Sequence, residues 1–475
     1  MHTSTAVKMI YLTWAQDSII IHQPMNLYHQ RSGKNTFQFS FRRFLSLSFL
    51  FGMFLLNSGV SSAIDGSPSN YRQLLKNLKA GESLVLQPGI YLEGLPLHGI
   101  VGESGKPITI TGVKGAQRPV FVARSGHNTI SIVDSAYVHL KDLELDGRGL
   151  PVDGVKAEGH SKWTHHIVLE NLLIRGFGYS QQTVGISTKC LSWNWTIRNN
   201  VIEGAGTGIY LGDSNGRKPF VAGLIENNLI ADSTGYNLQI KHQLAQPDIP
   251  GLSSGKATII RHNIFIKSKA ALEEGMARPN VLVGHWPLSG AGKEDVYELY
   301  GNLFYDNPSE ALFQGEGNIG LYNNLFVNPH GDAIRIQPHN DVPRRVDIFS
   351  NTVVAAGAGI SIRRKEGDYR FTQRVVANMV FASPALQGGE QHSNLSGSYD
   401  AAGDYLVSPY EAIGSLDLLP KTELGVDATP DLSPFSHHID WNRDFDGNGR
   451  NRHFMGAYNG ERGSNSRRLR PGPKP

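Results

Sequence analysis

The sequence predicts an all-β protein, a single-stranded right-handed parallel β-helix (a solenoid) with an N-terminal helical cap. The first observation is an asparagine that recurs along the chain, each time followed by two or three apolar residues. Most of its spacings are 22 to 29 residues, a period at which each repeat buries its apolar face only by stacking on its neighbours. The repeated residues are Asn171, Asn200, Asn228, Asn263, Asn302, Asn324, Asn351 and Asn378.

The second observation is a short strand pattern that recurs once per coil, with apolar residues in register. These residues are Val155, Ile186, Ile209, Leu238, Ile334 and Ile360. Because side chains alternate between the two faces of a strand, the residues that follow each of them point outward. They are Lys156, Ser187, Tyr210, Gln239, Arg335 and Ser361, with Lys189, Lys241, Gln337 and Arg363 further along the same face. One outer face of the coil is therefore predicted to be polar and partly basic.

The asparagines occupy the same turn in every coil. Stacked asparagine side chains can hydrogen-bond the backbone of adjoining turns. We interpret them as a structural ladder, and the functional site is expected elsewhere on the outer surface.

The ends of the chain depart from the repeat. In residues 1–63, Arg42 and Arg43 precede an apolar run, 44–56, that is short for a membrane span. This pattern predicts a signal peptide, with Met25 as a possible true start and an uncleaved membrane anchor as the alternative. A cleaved signal implies a secreted or periplasmic protein without stable membrane insertion.

Three further segments follow the signal region. Residues 64–82 are predicted to form the cap helix, since apolar residues recur at helical spacing there. Residues 83–400 are predicted to form the parallel β-helix. Residues 401–475 are predicted to form an irregular C-terminal cap and a disordered tail.

Composition limits the partners. The chain has 475 residues and one cysteine, Cys190, which excludes an internal disulfide framework. Residues 1–63 contain five basic residues and one acidic residue, so the remainder has 40 Lys and Arg against 41 Asp and Glu. The net charge therefore gives no electrostatic support for a nucleic-acid partner. We also expect the protein to be a monomer.

The segment 83–91, with Pro88-Gly89 at its turn, and the later segment 105–110 resemble the opening coils of right-handed parallel β-helix proteins. They are most similar to polysaccharide lyases of the chondroitinase B and alginate lyase type. The resemblance covers roughly residues 83–390 and implies the fold. It implies less about chemistry, because this fold also carries hydrolases, epimerases and inert adhesins.

The period lengthens to 35 and then 39 residues on either side of Asn263. Insertions in a solenoid emerge as loops, here predicted at 242–256 and 273–295. They flank the strand 237–241, which is therefore the expected site. By the lyase resemblance Lys241 matches the catalytic base, whereas the family's arginine has no counterpart.

A uronate lyase must neutralise a carboxylate and remove the adjacent proton. Acidic residues near Lys241 would raise its pKa unless a metal holds them, so we expect a Ca²⁺ site. Its predicted ligands are Asp213, Glu273 and Glu274. The alternative is a surface cluster of lysine and glutamate without a metal.

Two loop histidines, His242 and His285, are further candidates for acid or base catalysis. Tyr210 and Trp286 either stack on sugar rings or rest on the coil. The remaining predicted substrate contacts are Asn237, Gln239, Lys189 and Arg335.

The leading hypothesis is an exported lyase that cleaves an acidic polysaccharide by β-elimination. A non-catalytic glycan-binding or surface protein is the alternative from another class, favoured by the missing arginine. A glycoside hydrolase or a C5-epimerase on the same fold is a further alternative.

Overall fold

The computed structural model describes residues 62–245, 249, 252, 255–268, 276–365, 368–421, 430–450, 454–460 and 469–470. In this part of the chain the backbone winds into stacked coils whose strands form three long parallel sheets, so the predicted parallel β-helix is confirmed. The signal-peptide prediction and the alternative start at Met25 lie outside the described residues. No helix among those described is long and apolar enough to cross a membrane.

Each coil contributes in turn to sheets that we call I, II and III. The strands of sheet I are Ala63–Gly66, Ser83–Leu86, Ile108–Gly112, Ser135–Lys141, Trp163–Glu170, Leu191–Trp193, Thr196–Arg198, Phe220–Val221, Leu224–Glu226, Ala257–Arg261, Val296–Tyr300, Ile319–Tyr322, Val346–Phe349, Gln373–Val376 and Glu390–His392. Those of sheet II are Ile90–Tyr91, Val120–Val122, Glu144–Asp146, Leu173–Arg175, Val201–Glu203, Leu229–Ala231, Ile264–Ile266, Leu303–Tyr305, Leu325–Asn328, Thr352–Ala355, Met379–Phe381 and Leu395–Gly397. Those of sheet III are Leu95–His98, Ile130–Val133, Val155–Ala157, Val184–Thr188, Thr207–Leu211, Leu238–Ile240, Val281–Val283, Phe313–Gly315, Ile334–Ile336, Ile360–Ile362 and Leu386–Gln387.

The core is a continuous apolar column enclosed by the three sheets. The residues predicted to point inward from sheet III are fully or almost fully buried in it. From sheet II, Phe304 stacks on Phe326 with ring centroids 4.4 Å apart, and Phe265 lies 5.2 Å from Phe304 on the other side. Burial of one such layer per coil is what makes each coil depend on its neighbours.

The predicted asparagine ladder is present at the turn from sheet I to sheet II. Asn302 shows the repeating bond pattern: its Nδ2 donates to the backbone oxygen of Ile260 (2.8 Å) and to Oδ1 of Asn324 (3.0 Å). Its own Oδ1 accepts from the backbone N–H and Nδ2 of Asn263. The ladder comprises Asn200, Asn228, Asn263, Asn302, Asn324, Asn351, Asn378 and Asn394.

One member of the sequence repeat belongs to a different position of the turn. Asn171 has a φ of 51° and matches Asn199, at 57°, rather than Asn200. The backbone N–H of Leu172 is the group that donates to Oδ1 of Asn200. Asparagine tolerates the left-handed region, so the same residue type serves both positions and the sequence alone does not separate them.

The N-terminal cap is shorter than predicted. Its helix spans Tyr71–Leu75, and the preceding Ala63–Gly66 is already a strand of sheet I, paired with Ser83–Leu86. Tyr71 is buried and packs edge-to-face on Tyr91, with ring centroids 5.1 Å apart. The coil therefore begins about twenty residues before the predicted boundary, because 63–66 supplies a parallel partner for the next strand.

The C-terminal segment lies along the outside of the coil. It contains helices Ala402–Tyr405, Tyr399–Ala401 and Ser433–Phe435, the last two of the 3₁₀ type, and the antiparallel strands Leu406–Ser408 and Asp417–Pro420. Its apolar residues cover sheet II and sheet I from outside, for example Phe435 on Phe349 at 4.2 Å. The later strands of sheet II are apolar on both faces, so they require this cover. The predicted tail at 461–468 and 471–475 lies outside the described residues.

Candidate functional site

The site that the sequence predicted lies on the outer face of sheet III. Coil by coil, its outward column contains Pro96, Ser131, Lys156, Ser187, Tyr210, Gln239, Leu282, Gln314, Arg335, Ser361 and Gln387. The strand Val281–Val283 lies inside the interval 273–295 that was predicted to be one loop. It is the ordinary sheet III strand of this coil, so the long interval contains a single coil with additional residues before and after that strand.

Three functional side chains surround one glycine on this face. Tyr210 pairs in register with Ser187 on one side and Gln239 on the other. Two residues further along those neighbouring strands come Lys189 and Lys241, and Gly212 lies between them in the middle coil. Gly212 has a φ of 86°, which glycine adopts without strain.

The glycine matters because it leaves space between the two lysines. A Cβ at that position would lie 3.5 Å from the Cβ of Lys241, and a longer side chain would occupy the gap. We call Lys189, Tyr210 and Lys241, with Gly212 at their centre, the lysine–tyrosine cluster.

Lys189 has both a cation–π contact and a lowered pKa. Its Nζ lies 3.3 Å from the centroid of the Tyr210 ring, a cation–π contact. Burial lowers the pKa of Lys189 to about 8, and the charges of Lys156 and Lys241 act in the same direction against Asp153 and Asp213. An amine with this pKa is partly neutral near neutral pH, as a general base requires.

The other two members complement it. Burial lowers the pKa of Lys241 from its ordinary value. Burial raises the pKa of Tyr210 to about 12, so its hydroxyl keeps its proton at neutral pH and can donate it. Gln239, which pairs in register with Tyr210 on the adjoining coil, is 5 % exposed and presents little surface to a ligand.

The two predicted histidines lie together next to Lys241. The rings of His242 and His285 stack with centroids 5.4 Å apart. Burial, aided by the charge of Lys241, lowers the pKa of His242, which favours the neutral imidazole. His285 is 6 % exposed and its Nδ1 lies 3.1 Å from the backbone oxygen of Trp286, so it presents little surface to a ligand.

Two predicted substrate contacts are corrected by burial. Trp286 is fully buried and stacks on Tyr297 at 4.5 Å, so it rests in the core and cannot stack on a sugar ring. Asn237 is also fully buried, and its Nδ2 donates to the backbone oxygens of Ile230 and Ile266. Both residues lie next to sheet III strands, Asn237 just before Leu238–Ile240 and Trp286 shortly after Val281–Val283, and not on protruding loops.

Arg335 is separated from the cluster. Leu282 and Gln314 stand between it and Gln239 in the column, so it is three strand spacings, about 14 Å, away. Its guanidinium pairs with Glu310 and Asp332 at 2.6 Å each. Its charge is balanced by these two carboxylates, and its role as a substrate contact stays a prediction.

The predicted calcium ligands are only partly described. The Oδ1 atom of Asp213 accepts the backbone N–H of Lys218 at 3.1 Å. Glu273 and Glu274 lie outside the described residues. Ca²⁺ takes about six to eight oxygen ligands, which a single carboxylate does not supply, so the calcium site stays a prediction.

The sequence-based reasoning missed one buried amine. Lys267 is fully buried, and its Nζ donates to the backbone oxygen of Arg278 at 2.6 Å. Burial lowers the pKa of Lys267 to about 8. The sequence signal for its burial was its position directly after the strand Ile264–Ile266, which is mostly buried.

No protein-family model and no curated protein matches the sequence. Among solved structures, an alginate lyase from a Paenibacillus species is 16% identical, with 71% of this chain and 98% of that chain covered and a TM-score of 0.41. A lacto-N-biosidase from Eubacterium ramulus is 11% identical, with 71% and 68% covered and a TM-score of 0.47. The A-module of a mannuronan C-5 epimerase from Azotobacter vinelandii is 14% identical, with 70% and 89% covered and a TM-score of 0.40.

These proteins resemble the chain in fold. The parallel β-helix architecture that the opening coils indicated is present in the described residues themselves. Identities this low carry no conclusion about activity, which has to be argued from the side chains.

Proposed function

We propose that the protein is a polysaccharide lyase that cleaves a uronate-containing polysaccharide by β-elimination, with the lysine–tyrosine cluster as its catalytic centre. The observation that supports this most is the arrangement of two lysines and a tyrosine around Gly212 on an outer sheet face. It supplies a base, a cation and a proton donor on three consecutive coils, with each lysine one coil spacing from the coil of Tyr210.

The reaction needs all three groups. A base removes the proton at C5 of the uronate, next to the carboxylate, and the electron pair forms the C4–C5 double bond. The bond from C4 to the glycosidic oxygen breaks, and that oxygen takes up a proton. A cation at the carboxylate stabilises the negative charge that develops during proton removal.

We assign proton removal to Lys189 and carboxylate binding to Lys241. Lys189 has a pKa of about 8, so a useful fraction of its amine is neutral near that pH. Lys241 can then act through its positive charge. This assignment exchanges the roles that the sequence resemblance implies, in which Lys241 is the base.

Tyr210 is the proposed proton donor, a role for which the sequence offered the two loop histidines. Its pKa of about 12 keeps the hydroxyl protonated over the range in which Lys189 titrates. Gly212, between the two lysines, carries no side chain that would compete with a sugar ring for the space beside them. An exported location and a calcium requirement remain predictions.

Incubation of the purified protein with alginate, pectate and glycosaminoglycans tests the proposal. A lyase releases unsaturated ends that absorb in the ultraviolet, with and without added Ca²⁺ or a chelator. Arginine keeps the positive charge but does not lose its proton at these pH values, so Lys189→Arg is expected to be inactive. Lys241→Arg is expected to keep part of the activity.

The control is Lys114→Ala, which removes an exposed lysine on a distant turn. Full activity of both Lys189→Ala and Lys241→Ala would contradict the proposed site. New reducing ends without ultraviolet absorbance would indicate a hydrolase, and solvent hydrogen incorporated at C5 without cleavage would indicate an epimerase. Binding to a glycan without turnover would support the non-catalytic alternative.

A further inference from the structure

A second cluster of chemically active side chains lies on sheet I, away from the lysine–tyrosine cluster. Glu298 and Asp347 point outward from this sheet two coils apart, with Gly320 between them in register. The C-terminal segment places His438 over the glycine, and His437 beside it. These groups line a pocket of about 350 Å³ together with Arg374, Arg345 and Asn318, among others.

We propose that Asp347, His437 and His438 form a three-ligand binding site for a zinc-type divalent cation. Their ligand atoms, one carboxylate oxygen and two imidazole nitrogens, all lie within 4.8 Å of one another. This inference is independent of the proposed lyase activity.

The distances between ligand atoms suit a tetrahedral ion. Oδ2 of Asp347 lies 3.0 Å from Nε2 of His438 and 3.6 Å from Nε2 of His437. Zinc–ligand bonds of 2.0 to 2.2 Å at tetrahedral angles place neighbouring ligand atoms about 3.3 Å apart. The two distances lie on either side of that value, and the third pair of ligand atoms lies within 4.8 Å.

Glu298 supports the assignment from the outer side. Its two carboxylate oxygens lie 2.8 and 3.0 Å from Nδ1 of His438. A carboxylate that accepts the Nδ1 proton of a histidine leaves Nε2 directed at the metal, a common arrangement around ligating histidines. In the metal-free protein Nε2 donates to Asp347, and a bound cation replaces that proton.

The neighbouring arginine and the types of ligand atom determine which cation the site can bind. Arg374 donates to both oxygens of Asp347, at 2.7 and 2.8 Å, and so holds the carboxylate in place. Two imidazoles and one carboxylate favour zinc, cobalt or nickel over calcium and magnesium, which prefer oxygen ligands. Three protein ligands leave one position of a tetrahedral ion for a water or a substrate, and the same three residues line the pocket.

Titration of chelator-treated full-length protein with Zn²⁺ and with Co²⁺ tests the site. Calorimetry is expected to show one equivalent of Zn²⁺, and Co²⁺ is expected to give the visible absorption of a tetrahedral complex. His437→Ala removes an exposed ligand and is expected to weaken binding at least ten-fold. Glu298→Gln is expected to weaken it about 10- to 100-fold by misplacing His438.

His127→Ala, another exposed histidine, is the matched control and is expected to bind normally. Circular dichroism and the thermal transition establish that each variant is folded. Absence of one-equivalent binding, or binding that His437→Ala leaves unchanged in a folded variant, would overturn the proposal.

Discussion

The ring of His438 lies directly over Gly320, in a place that no other residue type leaves open. A Cβ on Gly320 would be 2.6 Å from Cε1 and 2.7 Å from Nδ1 of His438. Both flanking carboxylates, Glu298 and Asp347, hold this ring from the sides. The absence of a side chain at Gly320 therefore lets the C-terminal segment pack directly on the coil.

Gly320→Ala is expected to destabilise this docking by about 1 to 3 kcal/mol, because a buried ring has to move. The measurement is limited proteolysis within 430–450 together with the thermal transition. The double variant Gly320→Ala/His438→Ala removes the clash, so its loss should be smaller than the sum of the two single losses. Strictly additive losses would show that the two positions do not interact.

The pH dependence of lyase activity follows from Lys189. The base acts when neutral, so kcat/KM is expected to rise with pH through about 8 and to level off above it. At pH 7 the value should be roughly ten-fold below the plateau, since about a tenth of the amine is neutral. A rise centred below the ordinary pKa of histidine would instead point to His242 as the base, because burial lowers the pKa of that imidazole.

Tyr210→Phe is expected to lower kcat about 100-fold or more, because the leaving oxygen loses its proton donor. KM should change little, since the phenyl ring still lies under the Lys189 ammonium. Steady-state kinetics on the active polysaccharide measure both values. Tyr369→Phe is the matched control, because Tyr369 also lies beside a cation, Arg364 at 5.3 Å, but is exposed.

Asn302→Ala is expected to lower the free energy of unfolding by about 2 to 4 kcal/mol. The substitution removes four side-chain hydrogen bonds and leaves the buried N–H of Asn263 without its acceptor. Urea unfolding followed by circular dichroism measures the loss. Asn394→Ala, at the partly exposed end of the ladder, should cost less because water can replace its bonds. Equal losses at the two positions would argue against a ladder that depends on burial.

Much of the coil could be predicted because the same pattern of inward apolar residues and turn asparagines recurs along the chain. Ile209 and Leu238 face inward, as their register indicated, and the asparagine turns hold the ladder. The position of Lys241 on the outer face followed from the same alternation. The sequence did not separate Asn171 from the ladder, since both turn positions accept asparagine.

The candidate site was predicted in part. Lys189, Tyr210 and Lys241 were all named, but their arrangement around Gly212 depends on the pairing of three coils. Trp286 was ambiguous in sequence, because an aromatic residue on an inserted segment can face either way. The sequence did not show the path of the inserted segments, because they do not follow the repeat of the coil.

The sequence by itself determined the coil, its inward residues and its turns, because each of these is a local requirement repeated along the chain. Only the tertiary structure decided which outward groups meet. Glu298 and His438 are 140 residues apart and are joined by the docking of the C-terminal segment, which has no repeat to reveal it. Contacts of this kind form where two separately folded surfaces are complementary in shape and charge. The residue pattern of one segment does not show which other segment it will contact.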